Sequence, residues 1–447
     1  MDNPTRLLLE KCIFELECSH PMFSSEKNTA DNIPMKTSFA FSSGMQAVTT
    51  ILLAHSTSSS PLSTGSTMTV LIPKDVYHGI RSLLSDVFSR HGVEVIEINM
   101  VTLGKNENGA DNESGAVAIQ NAIYDIAAAV TKDKYDRRGV DGNETDGQNK
   151  NDRHNVILWM ETPSNPKCEV TDIEAICNSA QSAAARWKNV IDVTTVVDGT
   201  MASPILTRPL ELGADISFHS GTKYLAGHSD ALIGTLTLSP ITPRGQILAP
   251  LIRSVQIAGG GVASPWDSWL TLRGMRTLHV RVERQCKTAM KLAEYLYEKM
   301  QLAAERSDRD PTTKVAAVQA VHYPGLPSHP QHDVANRQMA STPPKSDHNS
   351  SAAMQTNCYG GVLSFEMANE VEATAFAGAV QIAQRATSLG GTETLIEHRA
   401  SIEPPESIVS PLGLLRVSVG LENAEDLIRD FDSAFAIVER VMTTNDS

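Results

Sequence analysis

Ile216-Ser217-Phe218-His219-Ser220-Gly221-Thr222-Lys223-Tyr224-Leu225-Ala226-Gly227-His228-Ser229-Asp230 begins as a short β-rich run and breaks into a turn of hydroxyl-bearing and small residues around one lysine. Ile216 to His219 reads as a strand. Lys223 then stands in the turn just past it, where polar residues of open α/β sheets meet their ligands. An unpaired ammonium is costly to bury, so a buried lysine here needs a chemical reason. The plain alternative is a surface lysine in a polar loop, and Ser-x-Thr-Lys alone is too short to decide between them.

Working outward, further β-rich runs alternate with helical patterns: Val70-Leu71-Ile72, Val93-Glu94-Val95-Ile96, Val156-Ile157-Leu158-Trp159-Met160 and Thr194-Thr195-Val196-Val197. That alternation predicts a mainly parallel sheet covered by helices. A long helical pattern from Pro265 to about Met300 leads out of this unit. Gly361 to Glu366, a helix from Glu370 to about Ala386, and Leu415 to Val419 predict a smaller α+β domain after it. Three polar stretches read as loops or insertions, because they offer little apolar surface against the entropy of ordering. They are residues 56–67, residues 104–155 apart from an apolar helix-like piece (Ala116 to Val130), and residues 341–356.

The chain has 447 residues, 41% hydrophobic, and a formal net charge of -14. The length predicts two domains, and the acidic balance argues against a nucleic-acid or anionic-membrane partner. A small-molecule ligand suits it better. Six cysteines without a CxxC pair suggest neither a zinc knuckle nor a disulfide framework. The thirteen histidines show no ligand spacing, so no metal is expected. Asp141-Gly142-Asn143-Glu144-Thr145-Asp146 imitates a calcium loop but has Asp146 where glycine is needed and Asp152 where a bidentate glutamate belongs. Gly259-Gly260-Gly261 lacks dinucleotide-loop spacing and reads as a flexible turn or linker. Leu7-Leu8-Leu9 is too short for a signal-peptide core, and no run approaches the ~20 apolar residues of a membrane span. The expected setting is cytoplasmic, with an organelle left open.

Two more features give Lys223 a context. Asp198 directly follows the apolar run Thr194 to Val197, where an acid can pair with a protonated pyridine nitrogen and strengthen an electron sink; an ordinary Asp-Gly turn is the alternative. Ser42-Ser43-Gly44-Met45-Gln46 opens an apolar helix, Ala47 to His55, whose free N–H groups can cradle a phosphate; a serine N-cap is the alternative. A phosphate seat, a ring-nitrogen acid and an imine-forming lysine, in that order across one sheet, match what pyridoxal 5'-phosphate (PLP) requires.

Here a family resemblance becomes specific. Ser43-Gly44-Met45, Asp75-Val76-Tyr77, Glu161-Thr162-Pro163-Ser164-Asn165-Pro166, Asp198-Gly199-Thr200, Ser220 to Tyr224 with Gly227 to Asp230, Tyr323 to Pro330, Ser388-Leu389-Gly390-Gly391 and Arg416-Val417-Ser418-Val419-Gly420 resemble the ordered signature of the trans-sulfuration enzymes. The resemblance runs from about Asn3 to Asp430. It implies the type I fold of PLP-dependent transferases (aspartate aminotransferase-like): an α/β architecture with a mainly parallel seven-stranded sheet and a smaller α+β C-terminal domain. The large PLP-binding domain is then residues 1–275 and the C-terminal domain residues 276–447.

By the same resemblance, Lys223 holds PLP as the Schiff-base lysine and afterwards moves the α-proton, and Asp198 pairs with the pyridine nitrogen. Gly44, Met45, Ser220 and Thr222 bind the phosphate, with Ser43 and Thr200 completing the cofactor seat. Tyr77 stacks on the ring and counts among the catalytic residues, Asn165 faces the phenolic oxygen, and Arg416, supported by Ser388, clamps the substrate carboxylate. The implied activity is carbon–sulfur cleavage of a sulfur amino acid, of the cystathionine γ-lyase type by α,γ-elimination. γ-Synthase and β-lyase reactions use the same residues and stay open; so does a catalytically weak, PLP-binding relative serving as an oligomer partner. Aminotransferase chemistry fits less well. The implied assembly is a homo-oligomer, a dimer of dimers.

Departures from the pattern are His78-Gly79-Ile80, where Gly-Gly-Thr is common, and Gly199, where Asn is frequent. Glu397-His398-Arg399-Ala400-Ser401 is similar to a variant of some branches, lies near the expected substrate entrance, and leaves the choice of substrate open. Asn3-Pro4-Thr5-Arg6 resembles a segment that normally follows an N-terminal arm carrying Tyr-x-Arg to a neighbouring subunit's phosphate. The sequence as given is therefore expected to hold PLP weakly and to belong to a longer product.

Overall fold

Eight consecutive buried residues, His154 to Glu161, show why this sequence makes a sheet covered on both faces. Strands sandwiched between two helical layers have no solvent side, so apolar residues run on without alternation. In the computed structural model, which describes residues 3–19, 37–56, 68–101, 114–140, 153–309, 318–339, 358–403 and 408–445, that run is the fourth strand of the first sheet. The elements of this half are α1 (Pro4–Glu17), β1 (Ser38–Phe41), α2 (Gly44–Ser56), β2 (Met68–Pro73), α3 (His78–Ser82), β3 (Val93–Ile98), α4 (Gly115–Val140), β4 (His154–Glu161), α5 (Ile173–Arg186), β5 (Ile191–Asp198), α6 (Ser203–Leu206), β6 (Ile216–Ser220) and β7 (Gly234–Leu238). Much of the three expected insertions, and the calcium-like run from Asp141, lie outside the described residues. Within the second of them, α4 fills residues 115–140 and β4 already begins at His154.

The sheet is seven-stranded, in the order β1-β7-β6-β5-β4-β2-β3. Its neighbours pair in parallel except at β7, which runs against both β1 and β6. The sequence reading did not foresee β1 or β7. Ile51 and Leu52 of α2 pack one face, against Trp159, Val196 and Leu236. Ile119 and Ile123 of α4 and Ile176 of α5 pack the other, against Leu71, Leu158 and Val197.

The second half comprises α7 (Pro243–Ala258), α8 (Pro265–Met275), α9 (Leu278–Arg309), β8 (Val318–His322), α10 (His332–Gln338), β9 (Val362–Met367), α11 (Glu370–Ala379), β10 (Gln384–Arg385), β11 (Leu395–His398), β12 (Leu414–Ser418) and α12 (Ala424–Asn445). A second, mostly antiparallel sheet takes the order β10-β11-β12-β9-β8. Phe365, Phe376 and Phe431 are fully buried at its centre. We propose the two residues between α8 and α9 as the domain boundary.

Three expectations are corrected. The pattern from Pro265 to Met300 is two helices, because the backbone turns at Arg276-Thr277. Gly274 packs so closely on Ala226 that a Cβ there would lie 2.0 Å from the Ala226 carbonyl oxygen, and its own carbonyl accepts from Arg281 Nη2 at 3.0 Å and Thr277 Oγ1 at 3.2 Å. The helix begun at Glu370 stops at Ala379, not Ala386. Asp430 of α12 draws the next backbone N–H groups, Gln381 at 2.7 Å and Ile382 at 2.9 Å, and β10 then pairs with β11. Gly259-Gly260-Gly261 is a fixed turn: Gly261 N–H donates to Gln256 and its carbonyl accepts from Ser42 N–H.

Gly234 opens β7 directly beneath the turn before α2. A Cβ on it would stand 2.3 Å from the Ser43 carbonyl oxygen and 2.7 Å from Gly44 Cα. Gly234→Ala is therefore expected to destabilise the fold by about 1–3 kcal/mol through overpacking and to displace the Ser43–Met45 turn. Thermal melting together with PLP retention on dialysis checks this; a variant unchanged in both would show that the turn yields freely.

Candidate active site

The carboxyl ends of β4, β5 and β6, the turn after β2 and the start of α2 converge on one cavity of about 510 Å³. This is the edge at which open α/β sheets bind ligands. Every residue singled out from the sequence lines it: Ser43, Gly44 and Met45; Tyr77; Asn165; Asp198 and Thr200; Ser220, Thr222 and Lys223; and, from the second domain, Ser388 and Arg416.

At one end the Ser43 hydroxyl accepts the Gln46 N–H at 3.1 Å, so serine caps the helix as the plain alternative supposed. The cap leaves the N–H groups of Gly44 and Met45 without a partner among the described residues, at the positive end of a 13-residue helix. A Cβ on Gly44 would lie 3.3 Å from Phe218 and 3.6 Å from Ser220 Oγ, so the start of α2 approaches the β6 turn closely. Thr200 Oγ1 accepts the Ser220 N–H at 2.8 Å, which fixes that turn.

Asp198 is buried at the end of β5, and its Oδ1 accepts the Thr200 N–H at 2.9 Å. Burial pushes its pKa up, while the Thr200 donors and the nearby His219 pull it back. His219 is held in turn by Glu17 of α1, Nε2 to Oε1 2.5 Å, with both side chains buried. Such a buried carboxylate suits a protonated ring nitrogen.

Lys223 Nζ donates to Ser388 Oγ at 2.8 Å. Burial, then the charge of Arg416, lower its pKa, against the pull of Glu397. A lysine so placed gives up its proton more readily and becomes a nucleophile and base. Ser388 has φ 92°, a left-handed backbone that non-glycine residues rarely adopt. That geometry turns its hydroxyl to Lys223 and its carbonyl to Arg416 Nη2, 2.9 Å away. Arg416 also donates to Asn165 Oδ1 at 3.0 Å and pairs with Glu397, which faces it across β11 and β12. Its Nε is buried without a hydrogen-bond partner among the described residues. Tyr77 is 42% exposed at the mouth, its ring tilted against His78.

Three charged lining residues were legible only as parts of quoted motifs and had no role assigned: Glu161, Glu397 and Arg399. Glu161 stands across from Asp198 in the β4–β5 register and accepts the Tyr77 N–H at 2.8 Å. Burial, then the Asp198 charge, hold its pKa well above the ordinary carboxylate range. A carboxyl with a raised folded pKa binds its proton more tightly folded than unfolded, so stability falls as pH rises from the ordinary range through the raised value. Glu161→Gln removes this titration and keeps an acceptor for Tyr77. The cofactor-free variant is expected to melt like wild type near pH 4 and a few degrees higher near pH 8. Parallel melting curves across pH would contradict this.

A phosphate seat of free helix N–H groups and hydroxyls, a buried acid, a desolvated lysine and an arginine with an unpartnered Nε fit PLP and an amino-acid carboxylate. Fold and site together define a type I PLP-dependent enzyme. A sequence profile of the Cys/Met metabolism PLP-dependent enzymes matches residues 112–436. The chain is 32% identical to a cystathionine beta-lyase of Coxiella burnetii, over 97% of this chain and 85% of that one. It is 30% identical to a cystathionine gamma-lyase of Bacillus subtilis, over 97% and 86%. The crystal structure of metB from Corynebacterium glutamicum superposes with a TM-score of 0.67 at 28% identity, over 97% of this chain and 85% of that one. The chain belongs to the Cys/Met metabolism PLP-dependent enzyme family, and its cofactor is PLP. The expected fold class and the expected trans-sulfuration carbon–sulfur lyase class stand. No helix among the described residues is long and apolar enough to cross a membrane.

Proposed function

We propose that this protein cleaves the Cγ–S bond of cystathionine by α,γ-elimination. The observation that carries the reading is the position of Lys223. Lys223 lines the same cavity as the phosphate seat and the arginine clamp, and its Nζ is bonded to the same serine that supports Arg416.

When bound, PLP supplies an electron sink for the charge left at the substrate's reacting carbons. Arg416 takes the α-carboxylate, helped by Ser388 and Asn165, and so fixes which bonds face the lysine. Lys223 Nζ removes the Cα proton and moves protons at Cβ, which lets the thiolate leave from Cγ. Tyr77, at the mouth of the cavity, would stack on the bound ring. Asp198 keeps its charge against the ring nitrogen, and Ser43, Gly44, Met45, Thr200, Ser220 and Thr222 hold the phosphate end.

A relative named beta-lyase and another named gamma-lyase are similar to this chain at nearly equal identity. Product analysis separates the two chemistries, using cystathionine, homocysteine, methionine and O-acylated homoserines as substrates. Cystathionine is expected to give cysteine, 2-oxobutanoate and ammonia. Homocysteine with pyruvate would assign the β-reaction, and no product from any of the panel would overturn the lyase reading.

The same proposal includes assembly from copies of this chain. Trp266 and Trp269, 67% and 49% exposed, stack on α8, and the exposed Leu232 of the cavity wall donates its N–H to Asp267 of the same helix at 3.3 Å. Large exposed apolar groups beside a site mark an interaction surface. Light scattering on purified protein checks this, and a monomer at working concentrations would contradict it.

A further inference from the structure

At the substrate end of the cavity two guanidinium groups share one carboxylate. Glu397 pairs with Arg416 and, through Oε1, accepts from Arg399 Nη1 at 3.1 Å. The two arginines are not equally committed. Arg416 already has Asn165 Oδ1 and the Ser388 carbonyl as well as Glu397. Arg399 opens a 3-10 turn, Arg399–Ile402, and among the described residues its single hydrogen bond is the one to Glu397. Its Nε approaches Glu403 Oε1 only to 3.5 Å and is a buried nitrogen without a hydrogen-bond partner among the described residues. Glu403 is occupied elsewhere, by the Val409 N–H at 2.8 Å, the Ser410 N–H at 3.1 Å and the Ser410 hydroxyl at 2.6 Å. Arg399 is only 14% exposed, yet it lines the cavity. A mostly buried guanidinium has five donors, and most of these are unspent here on the wall of a substrate cavity.

We infer that Arg399 is a specificity-determining residue, which binds a second carboxylate at the far end of the substrate while Arg416 binds the first. The assignment rests on the proposed function for its substrate frame. It gives that function a selection rule: amino acids with a distal carboxylate, such as cystathionine or O-succinylhomoserine, are preferred over counterparts without one, such as methionine or O-acetylhomoserine. The planar fork of arginine suits a carboxylate in two-point contact. Glu397 holds the fork in place and is the group the incoming carboxylate must share it with.

The test compares Arg399→Gln and Arg399→Lys with the parent on cystathionine and on methionine. Loss of a charge-assisted contact is expected to raise KM for cystathionine about ten- to a hundred-fold, with kcat little changed and methionine within about two-fold. Lysine should recover part of the loss, which a merely structural role for the fork would not produce. The same comparison is made by calorimetric binding of cystathionine, methionine, O-succinylhomoserine and O-acetylhomoserine to Lys223→Ala protein, with and without Arg399→Gln. That readout needs no turnover. A distal-carboxylate preference there, abolished by Arg399→Gln, supports the inference even where the wild type proves to break a different bond. Equal losses for both members of each pair, or no preference in the parent, overturn it while leaving the lyase reading standing.

Discussion

Lys223→Ala is expected to abolish turnover, by about three orders of magnitude or more, and to leave the protein folded. The loss is large because the proposed function gives one atom, Nζ, two roles, covalent holder and proton carrier, and either alone is worth a factor of about a hundred or more. The fold should survive because, among the described residues, the side chain makes one hydrogen bond, to Ser388. Its charged form is already disfavoured, by burial and by the charge of Arg416. Circular dichroism and melting establish the fold, and initial rates establish the loss. A folded variant with parental rates would remove Lys223 from the chemistry.

Asp198→Ala is expected to cost about a hundred-fold or more in kcat, the scale of losing a preorganised charge beside a reacting centre, while some PLP is retained. Retention follows from the separate phosphate seat proposed at Gly44, Met45, Ser220 and Thr222, which the substitution does not touch. The buried carboxylate has its pKa raised by burial despite the donors of Thr200, so its removal should not destabilise the cofactor-free fold. Rates equal to the parent's would mean that another group holds the ring nitrogen.

The site was legible in the sequence to an unusual depth because its residues sit at strand ends. A strand announces itself by composition, and its last residue faces the ligand edge by topology, so Asp198 after Thr194 to Val197 and Lys223 after Ile216 to His219 could be placed without coordinates. What stayed hidden was every relation set by register or by distant capture. Glu161 faces Asp198, and Glu397 faces Arg416, only because of how their strands pair. The end of α11 depends on Asp430, some fifty residues later, taking its successors' N–H groups. The β7 strand, Gly234–Leu238, follows so closely on the lysine turn that its apolar run merges with it. Local composition carries no record of such pairings, and Arg399 is the clearest loss: a residue noted as a departure, whose partners alone give it a role.

The most direct test of the account is borohydride reduction of the purified, PLP-loaded protein followed by peptide mass mapping. The account predicts one pyridoxyl adduct, on Lys223, and its absence from the Lys223→Ala protein. An adduct on another lysine, or PLP-loaded protein with no reducible linkage, would contradict it.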